Sequence, residues 1–103
     1  MSFWERMEQA LSKGITTSRE AFETAREKAR DLGDRGLLKY EVMQLEKMAE
    51  KRFAQLGTKV YEALVKDERN TVSKATPSIK PLLLEIKQIE KRIGEKEDLL
   101  KQG

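Results

Sequence analysis

The 103-residue sequence contains no cysteine and no histidine, and these two absences remove several kinds of chemistry. Without cysteine the chain forms no disulfide and no thiolate metal site, which fits a reducing compartment. Without histidine it lacks the side chain that proteins use most often as a general base and as a metal ligand. No glycine-rich phosphate loop is present either. We therefore expect a protein that is not an enzyme, with no catalytic residues, no cofactor and no metal ion.

Long apolar runs and clusters of like charge are also lacking. No apolar stretch approaches the roughly 20 residues that span a bilayer, and the first residues lack the pattern of a secretory signal. The net charge is +3, yet residues 1–36 carry seven basic and seven acidic side chains, residues 37–73 seven and six, and residues 74–103 seven and five. A surface that follows nucleic-acid phosphates gathers its cations away from acidic groups. We therefore expect a cytoplasmic protein and disfavour nucleic acid as its partner.

The apolar residues that are present follow a helical period. In the last quarter of the chain they recur in steps of three and four, at Ile79, Leu82, Ile86, Ile89 and Ile93. This spacing predicts a helix from about residue 77 to residue 101 that packs against another helix. Thr76 and Pro77 suit its start, as N-cap and first helical residue. Lys96 takes the next position in the same seam, where a single charge can fix the register of packed helices.

A second apolar stripe predicts a helix from about residue 37 to residue 65, followed by a polar connection. Two amphipathic helices joined by a short connection pack as antiparallel neighbours, so residues 37–103 are predicted to form a helical hairpin. Gly57 and Gly94 interrupt these helices, which suggests that a neighbour approaches too closely for a side chain. The predicted hairpin core consists of Leu45, Ala49, Phe53, Gly57, Val60, Leu64, Ile79, Leu82, Ile86, Ile89 and Ile93.

Residues 1–36 form the remaining unit, an N-terminal amphipathic helix or arm. Its apolar residues trace one stripe over residues 2–32, with a predicted kink near Gly14 to Thr17, and Gly33 to Gly36 reads as a tight turn. The predicted fold class is thus all-α: an antiparallel, coiled-coil-like hairpin with an N-terminal amphipathic helix, as a three-helix bundle or an elongated equivalent.

The apolar face of the first helix is the candidate contact with a partner or a membrane. Tryptophan favours the headgroup region of a bilayer, so this face could lie on a membrane surface. The neighbouring charges cancel, however, which leaves no attraction to anionic lipid and favours burial of the face against protein. The sequence leaves open whether this face packs on its own hairpin, on another chain or on lipid. The residues concerned are Phe3, Trp4, Met7, Leu11 and Ile15.

Glu46 and Glu50 are separated by one helical turn, as are carboxylates in di-metal helical bundles. Those bundles use histidine beside glutamate and point both groups into the core. Both glutamates lie off the apolar stripe of the second predicted helix, so we expect them to be solvated.

Two segments resemble known families. Residues 56–62, Leu-Gly-Thr-Lys-Val-Tyr-Glu, together with the isoleucine-rich repeat after Pro77, make residues 45–103 similar to the helical hairpin that precedes zinc ribbons in small uncharacterised bacterial proteins. That resemblance implies a shared scaffold but no zinc, because the paired cysteine motifs are missing. The first dozen residues resemble the amphipathic start of the phage-shock protein A family.

These observations predict a non-enzymatic helical scaffold or adaptor that acts through protein–protein interaction and self-association. A chain of this size and composition buries little apolar surface alone, which favours a homo-oligomer, most simply a dimer. The other protein partner is unknown. The alternative is a peripheral membrane protein, bound at the inner face of the membrane through the N-terminal helix, and the second alternative is a nucleic-acid accessory protein.

Overall fold

A computed structural model describes residues 2–13, 19–31 and 33–102, and within these ranges the chain is all-α with no β-strand. The predicted fold class is confirmed. The four α-helices are α1 (Phe3–Lys13), α2 (Arg19–Asp31), α3 (Asp34–Tyr61) and α4 (Lys80–Gln102), and a π-helical turn (Glu62–Lys66) extends α3. The predicted kink near Gly14 to Thr17 lies outside the described residues, as does Ile15.

Helices α3 and α4 form an antiparallel hairpin. Two ion pairs fix their relative direction: Arg52 Nε lies 2.6 Å from Glu85 Oε2, and Lys96 Nζ lies 2.7 Å from Glu41 Oε2. Rising residue numbers on α3 therefore meet falling numbers on α4. The buried core joins this hairpin to α1 and consists of Met7, Val42, Leu45, Ala49, Ile89 and Ile93.

The structure places most of the predicted hairpin core between the helices, but not all of it. Phe53, Val60 and Leu82 are half-buried, whereas Gly57 and Leu64 are exposed, so their assignment to the core was wrong. Both lie beyond Phe53, the residue that contacts the start of α1, and α1 does not cover this part of the hairpin. Six further predicted core residues are buried, namely Leu45, Ala49, Ile79, Ile86, Ile89 and Ile93.

The glycines inside α3 and α4 do not mark close helix contacts. A Cβ atom built on Gly57 or on Gly94 would meet no atom within 4 Å outside the local helix backbone. The predicted close approach at these two positions is therefore wrong. Each glycine lowers the helix propensity of its segment without a packing benefit in return.

Helix α2 ends at Asp31 and α3 begins at Asp34, with Gly33 immediately before it. Gly33 has φ +76°, its N–H donates to the carbonyl of Arg30 (3.2 Å), and its own carbonyl accepts from Leu37 (3.0 Å). One residue thus ends α2 and begins α3, in a conformation that only glycine adopts at low cost. The predicted turn extends too far, because Asp34 to Gly36 already belong to α3. So short a connection makes α2 an antiparallel neighbour of α3, which it contacts.

The C-terminal end of α3 widens into the π-helical turn. The N–H of Asp67 donates to the carbonyl of Glu62 (2.9 Å), five residues back, and the N–H of Arg69 donates to that of Ala63 (3.0 Å). Glu68 between them has φ +54°, a left-handed conformation that a glutamate adopts at some cost. These bonds satisfy carbonyls that would otherwise be unpaired at the helix end.

The approach to α4 is organised by Thr76, although not through the predicted N-cap. Its Oγ1 accepts from the N–H of Ser73 (2.9 Å), upstream of the helix. Its carbonyl accepts from the N–H of Ile79 and from that of Lys80 (both 2.9 Å), which starts the helical pattern across Pro77. The side chain that was predicted to cap α4 therefore stabilises the preceding turn instead.

Candidate interaction surfaces

Helix α1 packs on the hairpin of its own chain. Met7 is only 1% exposed and lies in the core cluster with residues of α3 and α4. Phe3 and Trp4 both contact the ring of Phe53 on α3, with ring centroids 6.2 and 5.7 Å apart. The apolar face of α1 is therefore anchored by one fully buried methionine and by an aromatic contact near its first turn.

Some of the five residues predicted to contact a partner or membrane are packed inside the protein, and others are exposed. Met7 is buried, Phe3 is half-buried, Trp4 and Leu11 are exposed, and Ile15 lies outside the described residues. Lipid contact through the whole face would require Met7 to leave the core. The exposed part of the Trp4 ring remains available at the end of α1.

Arg6 connects three helices. Its Nη1 donates to Glu46 Oε1 on α3 (2.8 Å), and its Nη2 donates to Glu97 Oε1 on α4 (2.9 Å). Because the three side chains are only partly exposed, these charge-assisted hydrogen bonds are screened less than those of a surface pair. Arg6 therefore holds α1 at the groove between α3 and α4.

The expectation that Glu46 and Glu50 are solvated is wrong for Glu50, which is buried, and holds only in part for Glu46, which is half-buried. Glu50 is 5% exposed and accepts from Lys47 Nζ (3.2 Å), and Glu46 is partly buried beside Arg6. Burial raises the pKa of the Glu46 carboxyl above its ordinary value of 4.5. The Arg6 guanidinium opposes this rise, and the carboxylate of Glu97 adds to it.

The described residues contain no group of three or more aspartate, glutamate, cysteine or histidine side chains that could hold a metal ion. No helix in the described ranges combines the length and the apolar character that would let it cross a membrane.

Large apolar side chains are exposed where the hairpin extends beyond α1. We call this surface the apolar tip and define it by Tyr61, at the end of α3, and by Leu64 and Val65 in the π-helical turn. Tyr61 is 59% exposed, Leu64 40% and Val65 53%. Single exposed apolar residues are common, but three at one end of a small chain suggest an interaction surface.

The other long side of the hairpin is an open groove. Two adjoining concavities of about 440 Å³ each share Met48 and Arg92 and run between α3 and α4. Among the side chains that the structure describes, none from α1 or α2 lines either of them. We call this surface the basic seam and define it by Leu45, Met48, Lys51, Arg52, Arg92 and Lys96.

Sequence reasoning missed the Arg6 contacts and the basic seam. The sequence predicts Lys96 within the apolar stripe of the last helix, where it would fix the register. In the structure Lys96 forms an ion pair with Glu41 at the edge of that stripe. Met48 could have been noticed, because it is a large apolar residue off the main stripe of α3. Arg6 gave no comparable signal, since its partners are 40 and 91 residues away.

Comparison with known proteins adds no relative: no family model, no curated protein and no solved structure matches this chain. The two resemblances drawn from short segments of the sequence stay predictions.

Proposed function

We propose that this protein is a non-enzymatic helical scaffold or adaptor that acts through protein–protein interaction and self-associates, most simply as a dimer. The observation that carries the proposal is the apolar tip. Its three large apolar side chains lie at the end of the hairpin that α1 leaves uncovered. Association of two tips would remove these side chains from water, which is the main favourable term in most protein association.

The fold supports this use of the tip. Helix α1 is held on the rest of the hairpin by Met7 and Arg6, so the covered half buries its apolar residues within one chain. Toward the uncovered half, Arg52 pairs with Glu85, and Ile79 and Ile86 are buried. A rigid helical surface loses little conformational entropy on association.

The membrane alternative is less well supported by this geometry. Insertion of the α1 face would expose Met7, whose burial contributes about 1.5–3 kcal/mol. It would also separate Arg6 from Glu46 and Glu97. A nucleic-acid role is likewise disfavoured, because Glu41 and Glu85 stand among the cations of the basic seam.

Sedimentation velocity over a range of concentrations tests the proposal. We expect the wild-type chain to form dimers and the double variant Tyr61→Ser/Val65→Ser to remain monomeric. Both side chains are more than half exposed, so the variant should keep the wild-type helical circular dichroism.

Leu99→Ser is the matched control. Leu99 is 52% exposed, close to the 53% of Val65, but it lies on α4 at the opposite end of the hairpin. It should dimerise as the wild type does. A wild-type chain that sediments as a monomer at every concentration, or dimers that persist in the double variant, would contradict the proposal.

A further inference from the structure

The two long sides of the hairpin carry opposite charge. On the side under α1, the carboxylates of Glu46 and Glu97 receive Arg6. Met48 follows Glu46 by two residues, which turns it about 200° around the helix axis. It therefore faces the opposite side, where the basic seam supplies four cations. The acidic side thus already holds α1 through Arg6. The opposite side, the basic seam, carries positive charge and is not covered by any described helix.

The pairing of these cations indicates which part of the basic seam is free. Lys96 is paired with Glu41 at one end and Arg52 with Glu85 at the other. Between them, Lys51 and Arg92 form no ion pair within the described ranges. Two cations without a paired carboxylate at the centre of a groove attract a partner whose own carboxylates lie opposite them.

The floor of the basic seam is apolar. Met48 is 43% exposed between the two concavities, and the buried Leu45 and Ile89 line the concavities beneath it. An exposed methionine adapts its flexible side chain to an apolar group of a partner. The distance from Glu41 to Arg52 corresponds to eleven residues of α3, about 16 Å or three helical turns.

A helix satisfies all of these features, since helices bind grooves through apolar residues at steps of three and four. A second copy of the basic seam does not, because Lys51 and Arg92 would face like charges. Resting on the proposed adaptor function, we propose that the basic seam binds an acidic amphipathic helix of a partner protein. Its apolar stripe contacts Met48, and its carboxylates pair with Lys51 and Arg92.

The probe for this proposal is a fluorescein-labelled synthetic helix of roughly 21 residues, with leucine at heptad positions a and d and glutamate at e and g. The same peptide with lysine at e and g is its control. Fluorescence anisotropy with the full chain should show binding of the acidic peptide only, and this binding should weaken as salt is raised.

Variants locate the site. Arg92→Glu and Lys51→Glu should each weaken binding about tenfold, because each turns an attraction into a repulsion. Met48→Ser should weaken it as well. Lys91→Glu is the matched control, since Lys91 is exposed next to Arg92 but lines neither concavity, and it should bind as the wild type does.

Failure of the acidic peptide to bind would overturn the proposal, as would equal losses in Arg92→Glu and Lys91→Glu. Binding of an oligothymidine with the same dependence on Arg92 and Lys51 would also overturn it and assign the seam to nucleic acid. Self-association is measured separately by sedimentation and depends on Tyr61 and Val65, so failure of the seam and failure of the scaffold proposal are distinguishable.

Discussion

The guanidinium of Arg6 lies 2.8 Å from the carboxylate of Glu46, although the two residues are 40 positions apart in the chain. The same guanidinium reaches Glu97 on α4. The first helix is therefore bound to both arms of the hairpin by one side chain, and it acts as a structural part of the bundle.

Replacement of Arg6 by methionine should loosen α1. The variant keeps much of the apolar stem but leaves Glu46 and Glu97 partly buried without their cation. We expect a loss of about 1–2 kcal/mol in the free energy of unfolding, measured by urea denaturation. Arg26→Met, at an exposed position of α2, serves as the control and should change stability little. Equal effects of the two substitutions would mean that the Arg6 contacts do not stabilise the fold.

The raised pKa of Glu46 gives the stability a pH dependence of defined sign. A carboxyl whose folded-state pKa exceeds its unfolded value stabilises the fold most below the unfolded pKa, and this contribution is lost as pH rises through the folded pKa. The unfolded value is near 4.5. The wild type minus Glu46→Gln difference in unfolding free energy should therefore fall as the pH rises above the unfolded value. Urea titrations at several pH values would measure it, and a difference that rises with pH would show that Arg6 outweighs burial.

Met7 tests whether α1 packs on its own hairpin. Its side chain is 1% exposed among Leu45, Ala49 and Ile93, so Met7→Ala should cost about 2–5 kcal/mol. Leu11→Ala on the same helix removes an exposed side chain and should cost much less. Trp4 fluorescence during urea unfolding reports on α1 directly, because the indole contacts Phe53. Similar small losses in both variants would indicate that α1 is not packed in this core.

The hairpin was predictable because the spacing of apolar residues within each short segment of the sequence already indicates its helices. Ile86, Ile89 and Ile93 are spaced so that only a helix places them on one face, and a helix with such a face requires a neighbour. Pro77 and the polar residues before it set the connection to within a few residues.

The interaction surfaces were not predictable in the same way. Glu50 is polar and lies off the apolar stripe, yet it is buried, one helical turn after Glu46, which pairs with Arg6 of α1. The exposure of Leu64 depends on where α1 begins relative to Phe53. Both are consequences of how distant segments meet, and no local period encodes them.

The two open glycines provide the last prediction. Alanine at Gly57 or Gly94 would place its Cβ where no atom lies within 4 Å, so the substitution costs no packing. Each should raise the unfolding free energy by about 0.5–1 kcal/mol, through higher helix propensity and lower entropy of the unfolded chain. Gly33→Ala is the matched control: space is also available there, but φ is +76°, so this substitution should destabilise the protein. Thermal unfolding of the three variants measures the contrast. Destabilisation by Gly57→Ala would indicate that a partner or second copy approaches α3 at this position in solution, because the isolated chain offers no steric reason for it.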